Sequence, residues 1–78
     1  MPRKIRELKR DLRQAGFEQQ RGRGKGDHTV WRHPLLGRYN VNLPGKDKDG
    51  EDAKHYQETE VREGIRLVRE AERKHRGT

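Results

Sequence analysis

Residues 21–34 combine the side-chain types that acid–base chemistry at a phosphate requires. The stretch holds four basic side chains, three glycines and two histidines. Glycine lets a backbone approach a phosphate closely, and lysine or arginine neutralises the phosphate charge. A histidine that titrates near neutral pH can move a proton. His28 directly follows the basic residues and is the candidate catalytic residue.

The chain lacks the residues that several other catalytic chemistries require. The chain contains neither serine nor cysteine, and its four histidines show no metal-ligand spacing. Histidine beside cations suits RNA cleavage without a metal, because the 2′-hydroxyl of RNA is an internal nucleophile. The alternative is that His28 is an ordinary surface or hydrogen-bonded histidine. The candidate RNA-binding residues are Arg21, Arg23, Lys25, Gly26 and Arg32.

The charge distribution points to a polyanionic partner. The net charge is +7 on 78 residues, and the Lys and Arg excess is concentrated in residues 1–26. Nucleic acid is the expected partner of such a concentration of positive charge. The alternatives are a basic face that only keeps the chain in solution, or a basic helix that docks on an acidic protein.

Length and composition indicate one small domain that spans residues 1–78. Only 26% of the residues are hydrophobic, so the core must be thin. The chain has no apolar run of the length of a membrane span or a signal-peptide core, so we expect a soluble, cytoplasmic protein without a cofactor.

Two amphipathic helices are predicted at the ends of the chain. In residues 3–15 the apolar side chains recur every three or four positions, and Pro2 suits the first turn. Gly16 occupies the position of a left-handed C-terminal cap. The second helix is predicted over residues 59–74 with Thr59 as its N-cap. Gly64 inside it indicates a close crossing with another element.

Strands are predicted between the helices, over residues 17–21, 27–33 and 38–43. The third alternates most clearly, and the first is the weakest. In the second, either Val30 or Trp31 could face the core, and we favour Val30. The predicted class is α+β, with the order α-β-β-β-α and two helices on one face of a small antiparallel sheet.

The motif around His28 resembles that of the HicA toxins of bacterial toxin–antitoxin pairs. The similarity covers the end of the first helix, the basic turn, Gly26-Asp27-His28 and Trp31-Arg32-His33-Pro34, and continues through Leu43-Pro44 to the second helix. HicA toxins are small mRNA interferases with a fold like the double-stranded-RNA-binding domain. Their Gly-Ser-His or Gly-Gly-His motif contains the catalytic histidine, which falls on His28, and their Lys-Gly falls on Lys25-Gly26.

The resemblance implies a metal-independent endoribonuclease that acts on mRNA and is covered by a HicB-type antitoxin. Asp27 departs from the family motif, since it replaces a small residue; it either orients His28 or repels the phosphate. The loop before the second helix is longer and more acidic than the family's. A non-catalytic RNA-binding module of the same fold is the alternative.

Overall fold

A computed structural model describes residues 2–20 and 28–76 of the chain. Its elements are α1 (Ile5–Gln14), β1 (Glu18–Gln19), β2 (His28–Arg32), β3 (Asn40–Pro44) and α2 (His55–Arg76). The strands form one antiparallel sheet in the order β1-β2-β3. The predicted α+β class and the order α-β-β-β-α are therefore confirmed.

The inner face of the sheet carries Trp31, and the prediction that Val30 faces the core is wrong. Trp31 is 1% exposed and pairs with Val41, whereas Val30 is half-buried on the opposite face. The indole N–H donates to the Thr29 hydroxyl at 2.8 Å, and that hydroxyl donates to the Leu43 carbonyl at 3.1 Å. Both polar groups are satisfied inside the protein, so the large ring can be buried without an unpaired donor.

The core lies between this inner face and the two helices. The predicted apolar stripe of α1 is confirmed, because Ile5, Leu8 and Leu12 are all at most 2% exposed. The buried apolar residues are Ile5, Leu8, Leu12, Phe17, Trp31, Val41, Leu43, Ala53, Val61 and Val68. Both helices lie on one side of the sheet, and no described helix covers its other face.

Gly16 ends α1 as predicted. Its φ of 98° lies in the left-handed region, and its N–H donates to the Arg13 carbonyl at 3.0 Å. The Phe17 N–H reaches the Leu12 carbonyl at 2.9 Å, which completes a Schellman cap. Phe17 is thereby folded back into the core.

The start of α1 differs from the prediction, since the helix begins at Ile5 and Pro2 lies outside it. Lys4 is extended (φ −82°, ψ 151°) and forms an isolated bridge with Asp52. The chain before Ile5 is held by this bridge, so the first turn cannot extend back to residue 3.

The segment after β3 is attached to the first turn of α1. The N–H groups of Ile5 and Arg6 donate to the carbonyls of Glu51 and Asp49, both at 3.0 Å. Lys9 of this helix is 4% exposed, and its Nζ lies 2.5 Å from Asp49 Oδ1. The acidic segment therefore caps the helix and neutralises one of its cations.

The second helix begins at His55, earlier than predicted. Thr59 is not its N-cap; its hydroxyl donates to the His55 carbonyl at 3.1 Å, one turn inside the helix. The Lys54 N–H is instead satisfied by Gln57 Oε1 at 2.7 Å, a contact typical of a capping box. Neither helix in the described ranges combines the length and apolarity needed to cross a membrane.

Gly64 lies where α2 crosses the sheet. A Cβ at this position would lie 3.2 Å from Phe17 Cζ and 3.3 Å from Val41 Cγ2. The predicted close crossing is confirmed, and it explains a residue that lowers helix propensity inside a long helix.

Candidate RNA-binding and catalytic site

His28 lies at the start of β2, on the uncovered face of the sheet. Its side chain is exposed, and its backbone pairs with Pro44 at the end of β3. The ring makes no hydrogen bond or ion pair with any other described residue. An exposed imidazole without a partner can accept or donate a proton at a bound ligand.

Arg32 lies at the opposite end of β2. It lies four residue steps from His28, about 13 Å along the strand. Its guanidinium Nη2 donates to the Gly37 carbonyl at 2.7 Å, in the connection to β3. The structure therefore does not bring Arg32 to His28, and its side chain already stabilises a turn.

The other predicted RNA-binding residues, Arg21, Arg23, Lys25 and Gly26, lie outside the described residues, as does Asp27. In the sequence they directly precede His28. Their roles stay predictions.

The second histidine of the motif, His33, has a structural role. It is 8% exposed and packs edge-on against Phe17, with ring centroids 5.3 Å apart. Its Nδ1 accepts the Leu35 N–H at 3.1 Å, so its Nε2 is the nitrogen that donates to the Ala15 carbonyl, also at 3.1 Å. Both ring nitrogens are used, which leaves none for chemistry on a substrate.

A cleft of about 650 Å³ opens beside His28, between the edge strand β3, the segment that follows it and the first turns of α2. It is lined by Ile5, His28, Asn42, Leu43, Pro44, Asp47, Lys48, Glu51, Asp52, Lys54, Tyr56, Gln57 and Glu60. Its charged groups, His28 apart, are four carboxylates and two lysines.

The lining of this cleft carries more carboxylates than lysines. Asp52 is paired with Lys4 at 2.6 Å, and Glu51 with Lys48 at 3.5 Å. Asp47 and Glu60 form no ion pair within the described part of the chain. These two carboxylates disfavour the approach of a phosphate through the cleft. No group of three metal-ligating side chains occurs in residues 2–20 and 28–76.

Two residues of the cleft were not identified from the sequence. Tyr56 is 57% exposed in the first turn of α2, and an exposed aromatic ring is a stacking surface for a nucleobase. Asn42 lies on the outer side of β3, where the alternation of that strand could have indicated it. Tyr56 had no such signal, because the start of α2 could not be located from the sequence.

Tyr39 has a perturbed pKa, although it lies outside this cleft. Burial, together with the nearby carboxylates of Glu63 and Glu60, raises the pKa of its phenol above the ordinary value of 10.0. Tyr39 is therefore a protonated, partly buried hydroxyl at neutral pH, which excludes a phenolate role.

Comparisons with protein families, curated proteins and solved structures find no match for this chain. The similarity to HicA toxins stays a prediction that rests on the motif around His28 and the order of the elements.

Proposed function

We propose that this protein is a metal-independent endoribonuclease that cleaves mRNA, with His28 as its acid–base residue. The observation that supports this most directly is the exposed imidazole of His28, which has no hydrogen-bond or ion-pair partner among the described residues and directly follows a glycine-rich basic segment in the chain. The resemblance to HicA toxins adds a biological setting: the toxin of a toxin–antitoxin pair in the cytoplasm, covered by a HicB-like antitoxin.

The proposed reaction needs few groups. His28 accepts the proton of the 2′-hydroxyl, and the resulting alkoxide oxygen attacks the adjacent phosphorus. The bond from phosphorus to the 5′-oxygen breaks, and that oxygen takes up a proton, from the imidazolium of His28 or from water, as it leaves. The products are a 2′,3′-cyclic phosphate and a 5′-hydroxyl. Cations stabilise the charge of the phosphorane, a role that we assign to Lys25, Arg23 and Arg21.

The second candidate is a non-catalytic RNA-binding module in which His28 only contacts RNA. One observation favours it. The guanidinium of Arg32 donates to the Gly37 carbonyl, so it is not available beside the imidazole to stabilise a phosphorane.

The test is cleavage of a mixed-sequence RNA in the presence of EDTA by the wild type and by His28→Ala. We expect the wild type to cut and the variant to lose cleavage while circular dichroism shows an unchanged fold. His55→Ala is the matched control, because His55 is also exposed and lies at the start of α2. It should cut like the wild type.

A substrate control identifies the chemistry. RNA with 2′-O-methyl groups lacks the internal nucleophile and should bind but stay intact. Cleavage by folded His28→Ala at the wild-type rate would exclude the proposed catalytic role. If all three proteins bind RNA and none cuts it, the RNA-binding module becomes the better description.

A further inference from the structure

The outward side of α2 carries a stripe of four arginines. We call Arg62, Arg66, Arg69 and Arg73 the arginine stripe. Their spacings of four, three and four residues place them within an arc of about 60° on the helix and along a length of about 16 Å. All four are exposed, while Val61 and Val68 on another side of the helix are buried in the core.

Three of the four have no acidic partner among the described residues. Arg66 is paired with Glu63 and, at 3.0 Å, with Glu70, which raises the pKa of Arg66 further above its ordinary value. Arg62, Arg69 and Arg73 form no ion pair with any described residue.

Three cations in or just before α1 differ in this respect. Arg3, Lys4 and Lys9 lie 2.5–2.6 Å from Asp11, Asp52 and Asp49, respectively. The protein thus neutralises these three charges and leaves the charge of the arginine stripe largely available for a partner.

We propose that the arginine stripe binds the phosphate backbone of RNA, as a surface separate from His28. One strand of a nucleic acid duplex presents a phosphate about every 3.4 Å of axis, so the length of the stripe faces about five phosphates. The guanidinium fork binds phosphate through two parallel hydrogen bonds, which lysine cannot form.

The composition of this surface favours nucleic acid over an acidic protein. The shallow groove along the stripe is lined by the four arginines and half-buried Ile65. Although arginine is common at protein–protein interfaces, their buried centre is mostly apolar, whereas protein–nucleic acid interfaces are strongly basic. A surface of four arginines around one aliphatic side chain fits the second class.

The arginine stripe and His28 lie on different sides of the protein. The helices cover the inner face of the sheet, and His28 projects from the outer face. RNA held by the stripe is therefore bound whether or not His28 cleaves it, and the proposal does not depend on the proposed nuclease activity.

The test measures binding of a labelled 2′-O-methyl RNA duplex, which cannot be cleaved through its 2′-oxygen, by fluorescence anisotropy at several salt concentrations. The stripe variant is Arg62→Gln/Arg73→Gln. The control, Lys46→Gln/Lys74→Gln, removes the same charge from exposed positions outside the stripe. Circular dichroism verifies that both variants are folded.

We expect the stripe variant to weaken binding and to reduce the slope of log affinity against log salt by about 2, one unit for each lost phosphate contact. The control should retain nearly the wild-type slope. The proposal is overturned if the two variants have equal effects, if the stripe variant has no effect, or if the wild type does not bind the duplex. It is also overturned if the stripe variant loses affinity for polyglutamate, which stands for an acidic protein, but keeps its affinity for RNA. The partner of the stripe would then be an acidic protein.

Cleavage of unmodified RNA, measured beside binding, separates this proposal from the previous one. A wild type that binds through the stripe without cutting contradicts only the nuclease. A wild type that cuts RNA while the stripe variant binds normally contradicts only the stripe.

Discussion

The Nε2 of His33 lies 3.1 Å from the carbonyl oxygen of Ala15, and this contact joins the end of β2 to the end of α1. The geometry depends on the next residue, Gly16. A Cβ at position 16 would lie 2.8 Å from the same Nε2, and the φ of 98° is itself unfavourable for other residues. The glycine cap and the buried imidazole therefore form one unit, which holds Phe17 in the core.

Replacement of His33 should destabilise the fold. We expect His33→Ala to lower the free energy of unfolding by about 2–3 kcal/mol, because two hydrogen bonds and the contact with Phe17 are lost and the Leu35 N–H loses its acceptor. Urea unfolding measures the effect. The exposed His28 and His55 are the controls, and their alanine variants should stay within about 0.5 kcal/mol of the wild type. A His33→Ala protein as stable as these two would contradict the structural role.

Replacing Asp49 should destabilise the fold more than replacing Lys9, its partner in an ion pair. Asp49→Asn leaves the ammonium of Lys9, whose side chain is 5% exposed, without a counter-charge. We expect a loss of about 2–3 kcal/mol, below the 3–5 kcal/mol typical of fully buried pairs because Asp49 is about one third exposed.

Lys9→Met is the matched comparison. It keeps the apolar stem of the side chain, and the remaining carboxylate can be hydrated, so its cost should be the smaller of the two. Urea unfolding of both variants gives the order. A larger cost for Lys9→Met than for Asp49→Asn would mean that the carboxylate, and not the buried ammonium, depends on the pair.

The stability conferred by Glu7 should fall in acid. Its Oε1 accepts the Lys4 N–H at 2.7 Å, and this hydrogen bond holds the pKa of Glu7 below its ordinary value of 4.5. A carboxyl whose folded-state pKa is lowered stabilises the fold fully above its unfolded-state pKa. That contribution is lost as the pH falls through the folded-state pKa.

The measurement is the free energy of unfolding of wild type and Glu7→Gln between pH 7 and about pH 3. The glutamine keeps a neutral acceptor and removes the titration. We expect the advantage of the wild type to be constant above about pH 5 and to decrease below that. A difference that does not change across this range would show that ionisation of Glu7 does not stabilise α1.

Much of the fold was predictable because it follows from local patterns. The apolar stripe of α1, the glycine that ends it and the alternation in β3 each depend on residues close together in the chain. The start of α2 was missed because its N-terminal contact comes from Gln57, whereas Thr59 offered a more familiar capping residue. The local pattern allowed a helix capped by either residue. Packing of the segment after β3 selected the earlier start, at which Gln57 makes the N-terminal contact.

The chemistry of the candidate site was predictable from the sequence, but the position of its residues on the protein surface was not. The sequence identifies His28 as a histidine behind cations, and the structure places it on an uncovered surface. Sequence alone could not show that His33 has a structural role, since both histidines lie in one short motif. The difference arises from the carbonyl of Ala15 and the N–H of Leu35, which occupy both nitrogens of His33.

The sequence by itself determined the order of the elements, the two faces of each strand and the basic character of the protein, because periodicity and composition are local properties. Only the tertiary structure decided which face of β2 is buried. Val30 and Trp31 are both apolar, and the helices cover the side on which Thr29 can satisfy the indole N–H. Tertiary structure also decided which cations remain available. Lys9 meets Asp49 forty residues away in the chain, whereas Arg62, Arg69 and Arg73 of the stripe meet no carboxylate among the described residues.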